Sequence, residues 1–275
     1  FTTVTVVHVI LYYLGARMQI LVLAGIIKGA SSGKGLGKRI LSVARSADIV
    51  LLVLDVFQPY HEDVLINELS NIGIRLNKKP PNIVIEKSAT GGIAIAQQVK
   101  LKKMSEKLVK DILNVYGYTS ARVVIREDID SEQLVDFLTG NKTYAKAITI
   151  LNKIDLVDKK FLKKVSKKLK TEFIPVSADA NDNIAELRDR IYDELQFIRI
   201  YLRPKGGETD YKEPLIIRNG GSVLDVCNKL HRKLRKDFRY GLVWGKSVKF
   251  GGQRVGLKHI LIDEDVLTII KTKGT

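Results

Sequence analysis

A single cysteine, Cys227, stands in 275 residues, which excludes an intramolecular disulfide and any cysteine cluster for a metal and suits a reducing compartment. The four histidines, His8, His61, His231 and His259, do not form a metal-ligand spacing. No apolar run approaches the roughly 18 residues needed to cross a bilayer, so no membrane partner is expected. The opening "FTTVTVVHVILYYLG" also lacks the charged region and small-residue cleavage site of a signal peptide. It starts with Phe1 rather than Met, and the chain is expected to begin inside a domain. Acidic residues are the other scarcity: 30 Asp+Glu face 46 Lys+Arg, leaving a formal charge of +16. That excess favours polyanionic partners, with RNA, DNA and an acidic membrane surface all admissible on electrostatic grounds; a lysine-rich surface that only aids solubility is the blander account. With 45% hydrophobic and 28% charged residues, the composition is that of an ordinary globular protein and argues against disorder of the whole chain.

What is present alternates in style along the chain. "FTTVTVVHVILYY" and "RMQILVL" are β-branched strand candidates separated by Gly15 at hairpin distance. The stretch "GASSGKGLGKR" follows, then a helical face of Ile40, Val43, Ala44 and Ala47, then "DIVLLVLDV", a strand covered on both faces. Strand, glycine loop, helix and buried strand imply an α/β core over 1–60. From 61 to 143 the pattern breaks. Paired prolines, Pro80 and Pro81, a helix from Ser105 to Tyr116, a strand "ARVVIRE" and a capping pair Asp130 and Gln133 suggest an α+β insert.

Buried-strand character returns over 144–200 with "AKAITILNKIDLV", a helix in "DKKFLKKVSKKLK" whose lysines point outward, a strand "EFIPVSA" and a helix in "IAELRDRIYDELQFIRIYL". The tail, 201–275, reads as a small β-rich domain. Its one main helix carries Val223, Val226, Leu230, Leu234 and Phe238, and its strand candidates are "YGLVW", "KSVKF" and "DEDVLTIIK".

The sharpest chemical signal is Asn152, Lys153, Ile154 and Asp155, directly after the strand "AITIL". Guanine presents N1–H and an exocyclic amine side by side, so a carboxylate such as Asp155 can accept from both and distinguish guanine from adenine. Asn152 can fix the loop, and the aliphatic stem of Lys153 can lie over the ring. An Asx turn leaving a strand accounts for the same residues without a ligand. A second strand ending in Ser177 and Ala178 adds context, because loops at the carboxyl ends of parallel strands are where open α/β sheets bind ligands.

No G-x-x-x-x-G-K-[ST] occurs in the 275 residues. Gly29, Gly33, Gly35 and Gly37 are wrongly spaced for a phosphate cradle, and a mobile basic loop is the stronger reading. Trp244 and Phe250 beside Arg239, Lys246, Lys249 and Arg254 could form a stacking and phosphate surface for RNA. Core packing of Trp244 is an equal alternative, and Cys227 reads as a small buried residue.

The segments "GIIKGASSGKGLGKRILSVARSADIVLLVLDV", "GIRLNKKPPNIVIEK", "LNKIDLV" and "VCNKLHRKLRKDFRYGLVWGKSVKFGGQRVGLKHILIDEDVLTIIK" closely resemble the developmentally regulated GTP-binding proteins, of the Obg-like branch of translation-factor-related GTPases. The likeness spans essentially the whole chain, and the lack of extensions looks more archaeal than eukaryotic. It implies a P-loop-GTPase-type three-layer α/β core, truncated at its amino-terminal side, an α+β insert and a β-grasp-like TGS domain. It also implies GTP and GDP binding with Mg2+, GTP hydrolysis and cytoplasmic work around ribosomes and RNA; the sequence leaves the oligomeric state open, with a monomer favoured.

On the family's pattern Asn152, Lys153 and Asp155 match the guanine-specificity motif, and Ser177 with Ala178 the last base-contacting loop. Gly25 matches the switch glycine, and Thr2 or Thr3 the switch threonine whose hydroxyl would meet Mg2+. Ile26 leaves no catalytic glutamine, so slow hydrolysis helped by K+ is implied. Val22 replaces the family's aspartate and Ala24 its proline; a Pro-Gly pair is missing near His8 and Val9. The family's amino-terminal helical region and P-loop would precede Phe1. Weak or absent hydrolysis by these residues follows, and a nucleotide-independent RNA- or ribosome-binding protein is the alternative function.

Overall fold

The computed structural model describes residues 6–23 and 36–272, which fall in two compact units, Gly25–Pro175, and Val176–Thr275 together with Phe1–Ala24. Thr2, Thr3, Gly25, Ile26 and the glycines at 29, 33 and 35 lie outside the described residues.

The first strands, β1 (Val6–Tyr13) and β2 (Ala16–Leu23), form an antiparallel hairpin with Tyr13 opposite Ala16. Its two loop residues, Leu14 and Gly15, have φ of 46° and 79°. Positive φ at both positions matches the right-handed twist of the strands, which favours such tight turns in hairpins. The two strands pair only with each other among the described residues, so Val7, Val9, Ile10, Tyr12 and Val22 remain exposed.

The unit Gly25–Pro175 is organised on one long strand. In chain order it contains α1 (Leu36–Ser46), β3 (Ile49–Asp55), α2 (His61–Asn71), β4 (Ile74–Leu76), β5 (Ile83–Lys87), β6 (Ile93–Gln97), α3 (Glu106–Val115), β7 (Ala121–Ile125), α4 (Ser131–Thr139), β8 (Thr143–Asn152), α5 (Lys159–Ser166) and β9 (Phe173–Pro175). Strand β8 pairs in parallel with β3 from Lys146 to Asn152, with β4 from Thr143 to Ala145 and with β9 from Thr149 to Leu151. Ile148, Thr149, Ile150 and Leu151 are consecutively buried, as a strand covered on both faces requires. Leu54, Val56, Leu151 and Val165 form the core beside the end of β8, with Leu162, Leu169 and Phe173 packed against it.

Within the stretch that the sequence marks as an insert, β4 lies on β8, and a separate three-stranded sheet in the order β5-β7-β6 follows. Helices α3 and α4 close one face of that sheet over Val109, Leu113, Val123, Ile125 and Leu134. Asp130 and Gln133 make the reciprocal capping box that their spacing predicts.

Arg75 on β4 ties the two sheets of this unit together. Its Nε and Nη2 donate to Asp136 Oδ2 and Oδ1 of α4 at 2.6 and 2.8 Å, and its Nη1 donates to the Ser70 carbonyl and hydroxyl at 2.8 Å each. Both charged side chains are buried, 6% and 5% exposed. Burial works against the guanidinium charge, yet the Asp136 hydrogen bonds and charge outweigh it and raise the Arg75 pKa. The fork geometry supplies this, since a guanidinium meets a carboxylate through two parallel bonds.

The remainder of the other unit comprises α6 (Ile184–Leu195), β10 (Phe197–Leu202), β11 (Asp210–Arg218), α7 (Val223–Leu230), α8 (Arg232–Asp237), β12 (Phe238–Trp244), β13 (Gln253–Val255) and β14 (Val266–Lys271). Five strands make one mixed sheet in the order β11-β10-β14-β12-β13, with β10 parallel to β14 and the other neighbours antiparallel. Helix α7 buries Val223, Val226 and Cys227 against Ile198, Ile200, Val243 and Leu267. Arg199 forks onto Asp263 and also reaches Glu264, pinning the segment before β14 to β10.

Three local expectations change. The helix read through 184–202 stops at Leu195, where Gln196 turns left-handed (φ 52°), and the alternating "FIRIYL" becomes β10. The single helix of the tail breaks at His231, whose extended backbone caps α8 while its ring accepts the Lys233 N–H. "KSVKF" is turn rather than strand.

Asp136→Ala removes the buried fork and leaves Arg75 only the exposed Glu132 carboxylate at 3.1 Å, and is expected to cost about 3 kcal/mol. Chemical denaturation of the full chain measures this, and an unchanged midpoint would remove Arg75–Asp136 from its anchoring role.

Candidate functional site

The parallel register places Asp55, the last residue of β3, opposite Asn152, the last residue of β8. Beyond Asn152 the chain turns through Lys153 in the left-handed region, φ 69° and ψ 34°, a conformation uncommon for a residue bearing a Cβ. The Lys153 N–H donates to Asn152 Oδ1 at 2.8 Å, so the asparagine side chain closes the turn that its own strand opens. A 3-10 turn, Ile154–Leu156, follows and carries Asp155 exposed.

Lys153 is held from the other strand. Its Nζ donates to Asp55 Oδ2 at 2.8 Å, while Asp55 Oδ1 accepts the Phe57 N–H at 2.9 Å. The Lys153 hydrogen bond, then the Phe57 N–H, hold the Asp55 carboxyl below its ordinary pKa. Asp55, which the sequence reading did not single out, braces the turn at 152–155. Its signal was available: an apolar run ending in an acid at the carboxyl end of a parallel strand, where ligand loops gather.

Ser177 is fully buried in the other unit, and its hydroxyl accepts the Ala180 N–H at 3.0 Å. Its backbone exchanges bonds with Asp182 at 3.0 and 3.1 Å, closing a tight loop that leaves Ala178 exposed. Val22 lies on β2, 43% exposed and opposite Val7.

The donor sets differ in what they fit. The turn at 152–155 offers an exposed carboxylate on a braced loop, which suits the paired donors of a guanine edge. For Mg2+ the described residues offer no group of three or more His, Cys, Asp or Glu side chains, and Val22 has no side-chain oxygen.

Of the basic residues singled out near the tail, Arg254 lies over the Tyr240 ring at 4.0 Å and Arg239 lies 5.9 Å from the same ring. Lys246 and Lys249 are exposed in the turn between β12 and β13, as is Phe250. Trp244 is already occupied. Arg203 sits over its ring at 5.0 Å, and a Cβ added at Gly251 would meet its Cδ1 at 2.7 Å, so the glycine permits that close approach. Cys227 is buried, and burial raises its pKa.

The depressed Asp55 pKa sets an acid limit on the loop. Its contribution is complete above the unfolded value of about 3.9 and is lost as pH falls through the lower folded value. Carboxyl NMR titration should find Asp55 below the ordinary range, and Lys153→Met should move it upward; an unmoved midpoint would uncouple the two residues.

Comparison with known proteins assigns all three parts of the chain. Residues 1–87 match the model of a 50S ribosome-binding GTPase, residues 90–197 the C-terminal region of the MMR_HSR1 domain, and residues 198–271 the TGS domain. The chain is 48% identical to an uncharacterized GTP-binding protein of Methanocaldococcus jannaschii, over 98% of this chain and 70% of that protein. It is 42% identical to guanylate binding protein 128up of Drosophila melanogaster and 41% identical to developmentally-regulated GTP-binding protein 1 of Xenopus laevis, each over 98% of this chain and 74% of the relative. The paired carboxyl ends of β3 and β8 thus lie in a GTP-binding α/β core that is followed by a TGS domain, and the chain belongs to the developmentally regulated GTP-binding protein family of Obg-like GTPases.

Proposed function

We propose that the turn at 152–155 reads guanine, with Asp155 accepting from N1–H and the exocyclic amine, Asn152 locking the turn and the Lys153 stem lying over the ring. The observation that carries this is the double bracing of the loop, by the Asn152 side chain from within and by Asp55 through Lys153, which presents the Asp155 carboxylate to solvent. A binding group held before the ligand arrives loses less freedom on binding. Ser177 and Ala178 are assigned as the second base loop, a backbone N–H there meeting the guanine carbonyl. Gly25 and Thr2 or Thr3 are assigned to the phosphate and Mg2+ end.

Isothermal calorimetry with GDP, GTP and ATP tests the reading. Guanine nucleotides should bind in preference to ATP, and Asp155→Asn should weaken GDP about ten- to hundredfold, the loss expected for bonds to a charged acceptor. The same variant should gain affinity for a xanthine nucleotide, whose second carbonyl needs a donor where guanine offers one. Equal binding of ATP, or indifference to Asp155→Asn, would overturn the assignment.

Hydrolysis is a separate matter. The 275 residues contain no Lys-Ser or Lys-Thr phosphate loop, and Val22 stands at the metal-orienting position. Electrostatic stabilisation of the transferring phosphoryl group is the main source of rate in such reactions. Single-turnover assays of this polypeptide, run in K+ and in Na+, should therefore find slow GTP cleavage, faster in K+ if the cation takes the role left open by Ile26. Rapid Mg2+-dependent turnover would refute the expectation.

A second reading, RNA or ribosome binding without nucleotide, is favoured by Arg254 over Tyr240 and the exposed Phe250 beside Lys246 and Lys249. Stacking rings within a cationic surface are how single-stranded RNA is held.

A further inference from the structure

Seven of the twelve residues from Lys159 to Lys170 are lysine, and none is acidic. All seven lysines are exposed. Helix α5 carries four of them, Lys159, Lys160, Lys163 and Lys164, with Val165 buried and Leu162 packed in the cluster of Leu54, Val56 and Leu151; Leu169, beyond the helix, packs there too. Asp158 caps the helix by accepting the Phe161 N–H at 2.7 Å. Within α5, Lys159 and Lys163, and Lys160 and Lys164, stand four residues apart. Like charges at that spacing oppose the helix.

A face meant only for solubility needs no such arrangement, because mixed signs serve it without the repulsion. Among the described residues only one of the seven, Lys170, has a carboxylate partner, Asp63 at 2.9 Å. Two aromatic rings stand in the same neighbourhood. Phe161 on α5 is 38% exposed and lies 6.0 Å from the ring of Phe57, which is 51% exposed. Phe57 is also the residue whose N–H binds Asp55.

We propose that α5, the lysines that follow it and the Phe57–Phe161 pair form an RNA-binding surface, with lysines on backbone phosphates and the rings on unpaired bases. Phosphates complement the ammonium groups, and stacking requires accessible rings, which neither an acidic polypeptide nor a duplex backbone would use. The surface lies in the unit Gly25–Pro175 and shares no residue with the basic face of the TGS domain. It stands independently of the guanine reading.

The test uses the full chain and a fluorescent RNA stem-loop with an unpaired loop, with binding followed by anisotropy over a series of salt concentrations. Lys159→Gln, Lys163→Gln and Lys167→Gln combined should reduce the slope of log affinity against log salt by about 2, the share of three contacts to a single strand. Phe57→Ala should lower affinity about fivefold or more, as loss of one stacked base does, and leave the slope unchanged. Circular dichroism and thermal melting should show the lysine variant folded, and GDP binding by the same preparations reports on the guanine loop separately. An unchanged salt slope in a folded triple variant would overturn the proposal, as would polyglutamate or anionic vesicles competing as well as RNA. Wild-type affinity in Phe57→Ala would remove the rings from it.

Discussion

The parallel pairing of β3 with β8 is the constraint on which the rest depends. One register, Asp55 opposite Asn152, brings an acid from one strand beside the turn that leaves the other. A shift of one residue would turn the buried Leu52 and Leu54 of β3 to its open side, where Val53 stands, and separate Asp55 from Lys153. Burial of Leu54 and Leu151 one residue earlier enforces the register from the hydrophobic side. The polar contacts at the strand ends are thus positioned by apolar residues that never touch a ligand.

Much of this was legible. The nearly continuous apolar run at β8 announced a strand covered on both faces, and the Asn-Lys-Ile-Asp sequence announced a turn between β8 and α5; the similar run at β3 gives a strand with one open side, Leu52 and Leu54 being buried and Val53 59% exposed. The Asp130–Gln133 spacing gave a cap that forms as written. Local signals of this kind survive because they depend on neighbours in the chain. The turn account and the ligand account of Asn152 also prove compatible, since the side chain that closes the turn leaves Asp155 facing outward.

Other features were hidden because they depend on partners distant in sequence. Asp55 acquires its role from Lys153, and Arg75 from Asp136, each pair set by the fold rather than by spacing. The passage from α6 to β10 was missed for a different reason. Residues 184–202 are amphipathic throughout, and only the left-handed Gln196 marks where a period near four gives way to a period of two. Trp244 was read as either a core residue or part of an RNA surface, and the core reading does not hold: the ring is half-buried outside the buried cluster, with Arg203 over it and the glycine turn beside it.

The Arg75 fork gives the three-stranded insert a mechanical property. It joins α4 to β4, β4 lies along the start of β8, and β8 ends at Asn152. The insert is therefore tethered to the strand that ends at Asn152 through a buried ionic fork and a backbone ladder, and not by the connecting loops alone.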